Sequence, residues 1–80
     1  MTLYLRTVLA RDGEHRAVIS RRPDGVIHVG FERWDGTVVT GIGAYNDPFW
    51  VPDGEGFLVE TLEAADALAR ERLGPGAAEG

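Results

Sequence analysis

The first half of the chain alternates. Leu3, Leu5, Thr7 and Leu9 fall on one parity, and Tyr4, Arg6, Val8 and Ala10 on the other. In an extended chain successive side chains point to opposite faces, so a period of two predicts a strand with one buried face. Strand one is placed at about residues 3–10. Strand two follows at about 15–21. Strand three runs over about 26–34, where Ile27, Val29 and Phe31 make an apolar stripe opposite His28, Glu32 and Trp34. A fourth strand is placed at about 37–45 and a short fifth at 57–60. Asp-Gly stands at 12–13, 24–25, 35–36 and 53–54. Glycine accepts positive φ and Asp tolerates it, so the first three pairs predict tight turns between consecutive strands.

After residue 60 the period changes. Leu62, Ala65, Leu68, Ala69 and Leu73 recur at helical spacing and form one apolar face. Thr61 suits the N-cap, Glu63 lies in the first turn, and Gly74-Pro75 stops the helix. Asp66 and Arg70 make an i, i+4 pair. The expected fold is α+β. It is an antiparallel meander of four to five strands with one C-terminal helix over Ile27, Val29, Phe31, Leu3, Leu5 and Leu9. Residues 1–74 would form the domain and residues 75–80 a free tail.

Composition narrows the possibilities. Eighty residues make one domain, which buries only about 60% of its unfolded surface. A fold this small tends to need a staple, and the chain has no Cys, which leaves a second subunit as the expected support. No apolar run reaches the roughly 20 residues of a membrane span, and the first residues lack a secretory signal, so a cytoplasmic location is expected. All eight basic residues are Arg, and with abundant Gly and Ala this is a bacterial-like composition. The net charge of −5 disfavours general polyanion binding. It is uneven: residues 1–34 hold six Arg against four acids, and residues 35–80 two Arg against nine acids.

No catalytic constellation stands out. Ser20 is the only serine, and its spacing to His15 and His28 suggests no triad. The acidic loop 46–56 lacks the alternation of a calcium loop, so neither a metal nor a cofactor is expected. Two surfaces remain. The first is the proline-stiffened stretch Tyr45, Asp47, Phe49 and Trp50, with the aromatic side chains that anchor protein partners. The second is the sheet face away from the helix, assigned Tyr4, Arg6, Val8, Val18, His28 and Trp34, with Arg16 beside them. A face of that character either pairs with a second subunit or stacks bases.

Four strands followed by a helix resemble the order in small single-stranded-nucleic-acid binders of the PUR type. Ala17–Gly25 together with Glu60–Ala65 is similar to the opening hairpin and helix start of HicB-type antitoxins, although an extra hairpin intervenes and their Gly-Cys loop is missing. The residues themselves lead to a non-enzymatic protein-binding or regulatory module, such as an inhibitor, an immunity or antitoxin-like partner, or an accessory subunit, and to a homodimer. The alternative is single-stranded nucleic acid on the outer sheet face, with Tyr4, His28 and Trp34 stacking bases and Arg6, Arg16 and Arg22 meeting phosphates.

Overall fold

The computed structural model describes residues 2–36, 40–41, 44–45 and 49–80. The elements in chain order are β1 (Leu3–Leu9), β2 (His15–Arg21), β3 (Ile27–Asp35), β4 (Thr40–Gly41), β5 (Ala44–Tyr45), β6 (Phe49–Pro52), β7 (Phe57–Val59), α1 (Leu62–Leu73) and β8 (Ala78–Glu79). All the strands but β4 and β5 build one antiparallel sheet, and α1, the single helix among the described residues, packs on it, as the alternation and the change of period predict.

The first two Asp-Gly turns form as expected. Gly13 and Gly25 take positive φ, at 72° and 89°, which a Cβ would oppose. Each preceding Asp accepts a backbone N–H two residues on: Asp12 from Glu14 and Asp24 from Val26. The third pair differs from these two. Gly36 has no left-handed backbone, and β3 runs straight on to Asp35.

The strand beside β3 is therefore not 37–45. The described residues of that segment pair with each other, β4 against β5. The outer edge of β3 is shared by two strands from what the sequence predicts as loop and fifth strand. β6 pairs with Glu32–Asp35 and β7 with Ile27–Val29. Val51 and Trp50 suit a strand, and proline at position 52 is tolerated because it closes an edge strand. The C-terminal residues, expected as a free tail, lie along β1: Ala78 pairs with Leu9 and Glu79 with Val8. The Arg70 guanidinium donates to the Ala77 carbonyl and helps hold them there.

One irregularity sets the faces of β1. Tyr4 pairs with Ser20 but Arg6 pairs with Ile19, so Leu5 is the extra residue of a β-bulge. Beyond the bulge the alternation inverts. Val8, expected outside, is fully buried, and Leu9, expected beneath the helix, turns to the outer face. Leu3 is exposed as well, while Leu5 packs against the core.

The core is shallow. Its buried members are Val8, Ala17, Ile19, Ile27, Val29, Ala65 and Ala69. Phe31, Phe57, Val59, Leu62, Leu68 and Leu73 close around them, partly buried. Helix α1 begins as read from the sequence: the Thr61 hydroxyl accepts the Ala64 N–H, and the Gly74 N–H caps the Arg70 carbonyl. Ala65 and Ala69 let the helix backbone lie close on β2 and β3, where a larger pair of side chains would lift it.

Candidate functional site

The register defines what the sheet shows on the side away from α1. Three rows of cross-strand neighbours cross it. Tyr4, Ser20, His28 and Leu58 form one row, Leu9, Arg16, Glu32 and Pro52 another, and Thr7, Val18 and Gly30 lie between them. Trp34 and Trp50 complete the face at the β3–β6 end. No described element covers it. Tyr4 is 81% exposed, Leu58 56% and Trp34 40%, so large apolar groups stand in solvent on one side of the sheet.

At the tryptophan end the side chains are already arranged. Trp34 and Trp50 meet edge to face at 5.4 Å, a favoured geometry for aromatic pairs. The Arg16 guanidinium lies 4.2 Å from the centre of the Trp50 ring, and its Nε donates to Glu32 Oε1 at 2.6 Å. Arg16 is thus stacked and neutralised in one position. At the other end Tyr4, Val18, Ser20, His28, Pro52 and Gly56 line a shallow groove of about 370 Å³. The His28 ring fills the space beside Gly30 and Gly56, where a Cβ would collide with it. Those two glycines are what let an imidazole lie flat against the sheet.

Arg6 is not part of this surface. The bulge at Leu5 turns it toward the helix, where it donates to Asp66 Oδ1 at 3.0 Å, with Glu79 3.6 Å away. Asp66 also accepts from Arg70 at 2.7 Å. The Arg70 hydrogen bond, with Arg6 adding to it, holds the Asp66 carboxyl below the ordinary range. The cluster ties α1 to β1 and is structural.

Of the four residues read as a partner-binding loop, the three that are described lie in strands. Phe49 and Trp50 belong to β6, where they pair with Asp35 and Trp34, and Tyr45 is in β5 opposite Thr40. Asp47 lies outside the described residues. Trp50 therefore joins the outer face instead of forming a separate site. The sequence gives no direct sign of this, because the pairing of 49–52 with β3 depends on where the chain returns after Asp35.

A second concavity, of about 530 Å³, opens on the helix side between the first turn, β3 and the end of α1. Phe31 and Phe57 meet edge to face on its floor at 6.0 Å, with the Arg72 guanidinium 4.8 Å from the Phe57 ring. On its rim His15 Nδ1 lies 3.1 Å from Asp12 Oδ2. The Glu14 N–H, with His15 beside it, holds the Asp12 carboxyl below its usual range. Of its charged lining residues, Asp12 and His15 engage each other, Arg72 the floor and Glu32 the Arg16 side chain, and Asp53 and Glu55 complete the rim. Among the described residues no three His, Cys, Asp or Glu side chains gather as a metal site, and no helix is long and apolar enough to cross a membrane. No protein-family model, curated protein or solved structure matches the chain.

Proposed function

We propose that the chain is a non-enzymatic binding module of the cytoplasm, and that it acts by docking the outer face of its sheet against protein. The observation that carries this reading is the Trp34–Trp50 pair with Arg16 stacked on it, standing uncovered at the surface. Trp, Tyr and Arg are the side chains most enriched where binding energy concentrates. Here they are preordered, which lowers the entropy lost on binding. Lone exposed apolar residues are ordinary, whereas a contiguous patch marks an interaction site.

Protein is favoured over nucleic acid by the electrostatics of the face. In the rows that cross it, the charged side chains Arg16 and Glu32 bond each other. Binding to single strands needs cations free to meet phosphates. Arg6, which the nucleic-acid reading requires, points to the helix. A photo-crosslinking amino acid at position 34, expressed in the source cells, tests the reading. Protein adducts are expected there and not from the same group at position 63, on the exposed side of α1. Equal labelling from both positions, or none from 34, would remove the face from the account, and a salt-sensitive oligonucleotide shift by the purified protein would replace protein with nucleic acid.

A further inference from the structure

We infer that the occupant of the outer sheet face is a second copy of this chain, packed sheet to sheet about a two-fold axis. The inference rests on the preceding reading that this face is a protein-docking surface, and it names the partner. Three observations support it.

The first is area. The face is roughly 25–30 Å long, at about 3.3 Å per residue, and about 19 Å wide across four strands spaced about 4.8 Å apart. That is about 500 Å² in flat projection, and the rings standing on it add relief. Two such faces bury about 1,000 Å² or more, the level a specific interface reaches.

The second is charge. The chain carries −5 overall, so two copies repel through most of their surface. The exposed acids Glu63 and Glu71 lie on α1, on the opposite side of the sheet. The outer face is neutral, because Arg16 and Glu32 answer each other at 2.6 Å. Copies can meet on it without the like charges of the helix side opposed. A pair already bonded within its own chain also enters an interface without leaving either ion unpartnered, which is the costly outcome. A face that is uncharged and rich in rings complements itself, whereas it offers no field by which to select a charged stranger.

The third is the core. Ile19, Val8 and Val29 are its largest fully buried side chains, and neither tryptophan is fully buried. A domain of 80 residues with so thin an interior is where a second subunit ordinarily supplies the missing apolar contact. Stacking two sheets about 10 Å apart would turn each outer face into an interior layer. In that arrangement Trp34 and Tyr4 of each copy become buried groups.

Light scattering after gel filtration of the full chain, from about 1 to about 100 µM, reads the outcome in the range where interfaces of this size separate. The expected mass is twice the 8.7 kDa of one chain. Trp34→Glu should weaken the dimer at least tenfold, by about the loss of one aromatic anchor. Tyr4→Glu should weaken it too, and since Tyr4 is 81% exposed that change leaves the fold of the single chain intact. Glu71→Ala, on the helix, should change nothing. A single-chain mass throughout the range overturns the inference. So does a dimer indifferent to both face substitutions, because it would use another surface. In that event, adducts from position 34 to a different protein would leave the binding-module reading standing, and their absence would end both.

Discussion

Replacing Val8 or Leu9 by alanine tests the bulge at Leu5, because without it the two side chains would exchange environments. Val8 is fully buried beside Ala17 and Ile19, whereas Leu9 is half-buried on the outer face next to Arg16. Val8→Ala removes two buried carbon groups at about 0.8 kcal/mol each. The gap between strand and helix cannot close fully, since Ala65 and Ala69 already bring α1 down, so the cavity raises the cost to about 2–3 kcal/mol. Leu9→Ala removes a larger side chain but one still half in water, at a cost of about 1 kcal/mol. A chain of this size has a total stability of about 4–12 kcal/mol. Urea unfolding followed by far-UV circular dichroism should therefore show a midpoint lowered by about 2 M for Val8→Ala, with a slope near 1 kcal/mol per M. Leu9→Ala should shift it by less than half as much. The reverse order would refute the inverted register and return β1 to uninterrupted alternation.

Three further outcomes follow from the geometry. Asp66→Asn should cost about 1 kcal/mol at pH 7 by loosening the Arg6–Asp66–Arg70 cluster. The folded-state carboxyl titrates below its unfolded value, so this stabilisation is complete above the ordinary Asp pKa of about 3.9 and fades as pH falls through the depressed one. Wild type and Asp66→Asn should accordingly converge in thermal midpoint as the pH falls below the ordinary Asp range, and a gap that does not narrow would refute the linkage. Thr61→Ala removes the hydroxyl that accepts the Ala64 N–H and should lower stability by about 1 kcal/mol, read as a drop in the urea midpoint. Gly56→Ala should displace the His28 ring, whose Cε1 and Cδ2 would lie 3.0 and 3.3 Å from the new methyl. Overpacking here outweighs the small entropic gain of losing a glycine, so a net loss of about 1 kcal/mol is expected with a changed imidazole spectrum in NMR, and an unchanged His28 signal would refute the contact.

What could be read from the residues was whatever depends on near neighbours. The turns at Gly13 and Gly25, the stripe of Ile27 and Val29, and the cap, face and stop of α1 are all set within a few positions of one another. The outer face was legible in Tyr4, Arg16, Val18, His28 and Trp34 for the same reason, since β2 and β3 keep perfect alternation. The misreadings share another cause. A bulge is a change of pairing, and Leu5 looks like any other alternating leucine, so Arg6 and Val8 were placed on the wrong side. The pairing of 49–52 to β3 is a long-range choice that outweighs the local signals of Asp47-Pro48 and Pro52. Likewise the terminal residues are held by the edge of β1, which their own composition does not reveal.

Strand β3 leaves the sheet at Asp35, and the chain is back opposite that same residue at Phe49. The Asp35–Phe49 pair thus holds both ends of the intervening segment at one point on the sheet, pinned by the β3–β6 ladder. Doubling that segment's length would cost only about 0.6 kcal/mol in closure entropy and would move no register elsewhere. Sequences able to adopt this sheet should thus tolerate variation in length between these two positions, and a foreign peptide grafted there should leave the two-tryptophan face intact.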